Sequence, residues 1–193
     1  MQYCRLICVG ALFIISTLPA SAGQKDRNWL VLYDFEDSTQ GWENEAPRPV
    51  QPTLSSTRAH HGTNSLCFEF EFGPKCDSFS ARVKMGKPRD FTRWESFEGL
   101  AAWVRVEKGH NIKAQMFVRS GPTWTWTPGP MFKGNARHWF RVFIPRDAIF
   151  DPSQVQDFGI YVYPGIRKGK VKVYIDHVVA VGVRQNADTE PPE

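Results

Sequence analysis

The feature that most limits what this chain can fold into is its period of two. Apolar and polar residues alternate through Trp29–Phe35, Ser65–Phe72, Phe79–Lys84, Leu100–Glu107, Lys113–Ser120, Trp139–Ile144, Gly159–Tyr163 and Val171–Val181, and clusters of Gly, Pro, Asp and Asn separate these runs. Alternation of this kind places successive side chains on opposite faces of a strand. Hardly any segment keeps helical spacing for three turns without meeting Gly or Pro, so the chain reads as all-β, a β-sandwich or jelly roll. A short helical turn at Arg146–Phe150 or Pro152–Val155 is the one departure expected. No internal repeat interrupts the pattern.

The two ends read differently. Residues 1–22 carry Arg5, an apolar run from Leu6 to about Leu18, and then Pro19-Ala20-Ser21-Ala22, whose small residues suit a signal-peptidase pocket. The run is shorter than the ~20 residues of a spanning helix. The expected layout is a signal peptide at 1–22, one β-sandwich domain at 23–183 and a flexible tail at 184–193, in a protein that is secreted or periplasmic and has no membrane contact after cleavage. Cys4 and Cys8 leave with the signal, so Cys67 and Cys76 are the pair available in an oxidising compartment. One local disulfide is one reading. The other is a symmetric hairpin turning at Gly73-Pro74, which sets Cys67 opposite Ser80.

Charge narrows the partners. The formal net charge is +4 and the pI 8.9, with no basic arm anywhere in the chain, which argues against a nucleic-acid partner. The sequence instead offers strands with one clean apolar face and a second face of mixed chemistry. Ala114, Met116 and Val118 oppose Lys113, Gln115, Phe117 and Arg119; Ile160 and Val162 oppose Tyr161 and Tyr163. A sheet face that mixes flat rings with hydrogen-bonding groups suits a sugar, and a second layer covering those rings is the alternative. The segment Gly121-Pro122-Thr123-Trp124-Thr125-Trp126-Thr127-Pro128 is the most unusual. If it is extended, Trp124 and Trp126 point the same way and make a platform beside the fork of Arg119 and the amide of Gln115, groups suited to vicinal hydroxyls.

These residues lead to a resemblance. Tyr33-Asp34-Phe35-Glu36-Asp37 with Gly41-Trp42, Ala59-His60-His61-Gly62-Thr63-Asn64-Ser65-Leu66, Asp90-Phe91-Thr92-Arg93-Trp94, Leu100-Ala101-Ala102-Trp103-Val104, Trp139-Phe140-Arg141-Val142-Phe143-Ile144-Pro145 and Tyr174-Ile175-Asp176-His177-Val178 together resemble secreted carbohydrate-binding modules with the galactose-binding-like jelly roll, as attached to β-glucanases and mannanases. The resemblance implies a sandwich that binds a polysaccharide or oligosaccharide without cleaving it, with Tyr161 and Tyr163 near the Arg119 strand; targeting a separate glycan-active enzyme, sensing or storing a polysaccharide and joining a complex are the roles open to such a module. It places Trp42, Trp94, Trp103 and Trp139 in structural strand patterns, hence in the core. It also implies structural Ca2+ where the first and last strands meet, on Glu36, Asp176 and the backbone around Gly62, with Asp34 as a substitute.

Two other functions fit a jelly roll. A glycoside hydrolase or polysaccharide lyase needs paired carboxylates or a lyase signature, and the pair that shares a face, Glu69 and Glu71, reads as the wet side of its strand. His60 and His61 lack partners at metal-ligand spacing and His110, His138 and His177 stand apart, so zinc chemistry is not expected. A protein-binding or assembly sandwich would turn the same aromatic face to a protein.

Overall fold

The computed structural model describes residues 28–45, 50–73, 78–166 and 168–183. The signal segment 1–22, the tail 184–193 and Cys76 lie outside the described residues. Twelve strands run through them: β1 (Trp29–Tyr33), β2 (Trp42–Asn44), β3 (Thr53–Ser55), β4 (Ser65–Phe72), β5 (Phe79–Arg89), β6 (Gly99–Val106), β7 (Ile112–Ser120), β8 (Thr125–Pro128), β9 (Phe132–Gly134), β10 (Trp139–Pro145), β11 (Val155–Tyr163) and β12 (Gly169–Val181). All pairings are antiparallel and form two sheets. Sheet A has the order β10-β6-β12-β4-β3, with β1 also on β12; sheet B has the order β2-β5-β11-β7-β8, with β9 also on β7. The fold is the β-sandwich that the alternation predicts.

The alternation sorts the faces. In β4, Leu66, Phe68, Phe70 and Phe72 are buried between the sheets while Glu69 and Glu71 are exposed; β7 buries Ala114, Met116 and Val118, and β11 buries Phe158, Ile160 and Val162. Rings from separate strands close the core: Trp42 meets Tyr33, Phe35 and Phe158 at centroid distances of 5.8–6.0 Å. Burial of so many aliphatic and aromatic side chains, each contributing about 1.5–3 kcal/mol, is what holds a fold with this many loops together.

Three expectations change. The Gly73-Pro74 connection does not close a hairpin, because β4 lies in sheet A and β5 in sheet B, and Cys67 is a buried free thiol. Of the four tryptophans expected in the core, Trp42 is buried there and Trp94 packs against it from a half-buried position, but Trp103 and Trp139 stand on the outer face of sheet A. Alternation dictates this: Trp103 lies between the inward Ala102 and Val104, and Trp139 pairs with the outward Arg105. Third, Trp124 and Trp126 are not in one extended segment. Trp124 has φ +55 and donates its N–H to Gly121 O within the turn, and β8 begins only at Thr125. The helical turn expected at Arg146–Phe150 is present as a 3-10 turn at Arg146–Ala148, Pro152–Val155 has none, and a second 3-10 turn that the sequence did not suggest spans Phe91–Arg93.

Candidate functional site

The outer face of sheet B carries a line of rings. Register puts Trp126 opposite Arg119, Gly159 between Arg82 and Phe117, Tyr161 opposite Gln115, and Tyr163 opposite Lys113. Trp126 lies 6.4 Å from Phe117 and 6.3 Å edge-on from Tyr161; Phe117 lies 5.2 Å from Tyr161, and Tyr161 stacks on Tyr163 at 6.5 Å. Gly159 makes room for this. A Cβ there would stand 2.7 Å from Phe117 Cζ and 2.1 Å from Ala81 O, so only glycine lets the Phe117 ring lie down on the sheet. Phe117 is consequently fully buried although it faces away from the core, whereas Trp126 keeps 43% of its surface exposed.

Beside the rings is a compact ion network. Asp157, 0% exposed, accepts from Arg82 Nη1 at 3.2 Å and Arg119 Nη1 at 3.0 Å. Glu45 Oε1 accepts from the same Arg82 Nη1 at 2.9 Å and from Arg119 Nη2, while Glu43 takes Arg82 Nε at 3.1 Å and Lys84 Nζ at 2.9 Å. Arg119 also lies over Phe117, 5.3 Å from the ring centre. The guanidinium groups are therefore fixed in place with their charge spent on carboxylates. Burial pushes the Asp157 carboxyl above its ordinary range, against the pull of Arg119 and Arg82. Asp157 Oδ1 and Glu45 Oε2 are buried acceptors without a hydrogen bond.

Five of the six ligand-binding residues expected from the sequence thus share one face: Arg119, Gln115, Tyr161, Tyr163 and Trp126. Trp124, 45% exposed, sits in the turn that opens β8. The alternation puts Phe117 on this face without marking it as part of the site, and it gives no sign of Arg82, Glu43, Glu45 or Asp157 there. Asp157 lay outside the expected strand because a register shift between Val155 and Asp157 breaks the alternation there.

The positions expected to hold calcium also converge, around the loop at 60–64. Glu36 accepts N–H bonds from Thr63 at 3.0 Å and Asn64 at 3.2 Å, and Asp176 accepts those of His60 at 2.6 Å, His61 at 3.0 Å and His177 at 2.7 Å. Asp34 Oδ1 accepts from Gln40 Nε2 at 2.9 Å. Gly62, at φ +65, lets Glu36 approach so closely that a Cβ would lie 2.2 Å from Oε1. Among the described residues no three carboxylate, imidazole or thiol side chains are grouped to hold a metal. In this arrangement the two carboxylates staple the loop through its N–H donors. The Thr63 hydroxyl and the two N–H groups hold Glu36 below the ordinary carboxylate range, whereas burial raises Asp176 in spite of its three N–H bonds.

A second ring cluster covers the outer face of sheet A. His60 stacks on Trp103 at 4.6 Å and meets Trp139 at 5.7 Å, His61 stacks on His177 at 4.6 Å, and Trp29 lies 5.3 Å from Trp103. The histidines that look isolated in sequence are neighbours because a register shift in β12, with His177 at φ +50, turns this ring under the 60–61 loop. Burial holds His177 down at about 4.

Fold and surface together define a β-sandwich of the carbohydrate-binding-module type. Residues 33–177 match the family described as mannanase, galactose-binding domain-like, and the chain belongs to that family. It is 26% identical over 152 residues to mannan endo-1,4-beta-mannosidase A and B of Caldalkalibacillus mannanilyticus, covering 77% of this chain and spanning 28% of that protein's length. Among solved structures it is similar to the family 11 carbohydrate-binding module from Clostridium thermocellum in complex with a β-1,3-1,4-mixed-linked tetrasaccharide, with a TM-score of 0.56 at 12% identity over 82% of this chain and 98% of that one. It is also similar to CBM28, a module specific for non-crystalline cellulose, with a TM-score of 0.57 at 14% identity over 77% and 90% of the two chains.

Proposed function

We propose that this chain is an exported, non-catalytic module that binds a neutral polysaccharide along the outer face of sheet B. The observation that carries the reading is the line of accessible rings Trp126, Tyr161 and Tyr163, backed by the buried Phe117 and lying beside guanidinium groups already neutralised by carboxylates. Flat rings take the C–H faces of sugar units, and Gln115 and the fixed guanidinium edges take their hydroxyls. Trp124, exposed at the neighbouring turn, belongs to the same proposal. The absence of hydrolysis is part of it: Glu69 sits within 3.6 Å of Lys170 and 3.9 Å of Lys172 on the exposed side of sheet A, as expected of a solvated strand face.

The relative's name makes β-mannan the first polymer to try, with mixed-linked β-glucan and a soluble cellulose derivative beside it. Native gels containing each polymer test the reading, since a bound protein is retarded. Wild type should be retarded by at least one and release no reducing ends from it. Loss of one stacking ring, Trp126→Ala or Tyr161→Ala, should cost about 1–3 kcal/mol and remove retardation. If both variants run like wild type in a retarding gel, or if no polymer retards wild type, the reading is wrong.

A further inference from the structure

One end of the sandwich gathers positive charge that the sequence scatters. Three connections meet there, at 107–111 between β6 and β7, at 135–138 between β9 and β10, and at 164–166 and 168 between β11 and β12. Backbone bonds tie them together: Glu107 N–H donates to Lys172 O at 2.9 Å, His110 N–H to Pro164 O at 2.9 Å and Arg137 N–H to Val106 O at 2.7 Å. Lys108, Lys113, Lys133, Arg137, Lys168 and Lys170 are all exposed at this end. Of the carboxylates nearby, Glu69 lies between Lys170 and Lys172 at 3.6 and 3.9 Å, Glu107 lies beside Arg105 at 3.8 Å, and the exposed Glu71 stands opposite Lys170 across β4 and β12. Among the described residues Lys108, Lys113, Lys133, Arg137 and Lys168 form no ion pair. The whole chain carries only +4, so five unpaired cations concentrate its excess in one place.

Two details make this more than a solvated edge. Lys113 and Lys133 stand directly opposite each other across β7 and β9, an arrangement of like charges that destabilises a strand pair unless an anion bridges it. Arg137 occupies the left-handed region at φ +65, where a long side chain is disfavoured. The surface is also continuous with the ring line, because Lys113 lies between Tyr163 on one side and Lys133 on the other.

We propose that this end binds a polyanion, namely a polysaccharide bearing carboxylate, sulfate or phosphate groups, whose chain runs on from the ring line past Tyr163. A lipid surface is the less suitable occupant. Among the described residues the exposed large apolar side chains, Trp124, Trp126, Met131 and Phe150, all lie outside the three connections, so none of them anchors beside the charge. The continuity with Tyr163 rests on the ring-line reading above, whereas the charge itself does not.

The test uses the full chain, with polygalacturonate and dextran sulfate as anionic probes, β-mannan as the neutral one, and phosphatidylserine-containing vesicles. Wild type should bind the anionic polymers, and ~0.5 M NaCl should weaken that binding at least about tenfold by screening. The variant K108Q/K113Q/K133Q/R137Q/K168Q should lose about tenfold or more on the anionic polymers and keep its retardation by neutral polymer. Should neutral binding be absent while lysine- and salt-dependent binding of the anionic polymers is present, the ring-line reading falls and this inference stands. Unchanged anionic binding in the variant, no anionic binding by wild type, or lysine-dependent binding to vesicles without binding to either soluble polymer would each overturn it.

Discussion

Replacing Asp157 by Asn tests whether the ion network on sheet B positions the guanidinium groups for a ligand. Asp157 is fully buried and its Oδ2 bridges Arg82 and Arg119 at 3.2 and 3.0 Å; Glu43 and Glu45 are the remaining carboxylates of the network. The substitution keeps the side-chain volume and leaves Arg82, Arg119 and Lys84 facing two carboxylates in place of three. Removing one partner from a buried pair costs about 3–5 kcal/mol when nothing else compensates. Here two carboxylates persist and the Arg82 and Arg119 side chains are 15% and 17% exposed, which brings the expected loss to about 2 kcal/mol, a fall in Tm of about 5 °C. The effect on binding is separate. Each freed guanidinium must be ordered again by the ligand, at about 0.5–1.5 kcal/mol per side chain, so with two of them affinity should drop on the order of fivefold to 150-fold. Calorimetric titration with a retarding polysaccharide, alongside thermal unfolding of the free protein, reads both numbers. An Asp157→Asn protein that melts and binds as wild type does would refute the idea that Asp157 holds these groups in place.

Acid should weaken the fold through His177. Its folded value of about 4 lies below the ordinary histidine range because of burial and then of His61 and His60, so between about 6.5 and 4 the unfolded chain binds the proton and the folded one does not. That part of the stability is complete above about 6.5 and is lost as pH falls through the window, by about 1.4 kcal/mol per unit. His60 acts in the same direction, while the raised Asp176 carboxyl opposes it at the acid end. A Tm that is flat from pH 7 to 4.5 in wild type, or an equally steep slope in His177→Phe, would contradict this. At the loop staple, Gly62→Ala should displace the Glu36 carboxylate and lower Tm, and a chelator should leave the wild-type Tm unchanged because those oxygens are occupied by N–H donors. A chelator-induced fall in Tm of protein loaded with Ca2+ beforehand would instead restore the calcium site that the resemblance implies.

Much of this molecule follows from local pattern. The period of two marks the long strands, and it separates the buried face of β7 from the face with Gln115 and Arg119, since a side chain's direction in a strand is set by its position in the alternation. Short strands escape such reading: β2, β3 and β9 have three residues each, too few to display a period. Trp103 and Trp139 show the limit of motif resemblance, because it suggests a core position while register turns both outward. What only the tertiary structure decides is which distant residues become neighbours. Asp157 joins Arg82 and Arg119 from three strands, His177 meets His61 across a bulge, and lysines dispersed over more than sixty positions collect at one end because three turns are stitched there by backbone hydrogen bonds. The physical reason is that strand partners in an antiparallel sandwich are chosen by non-local hydrogen bonds and core packing, so the outward faces inherit combinations that no short stretch of sequence encodes.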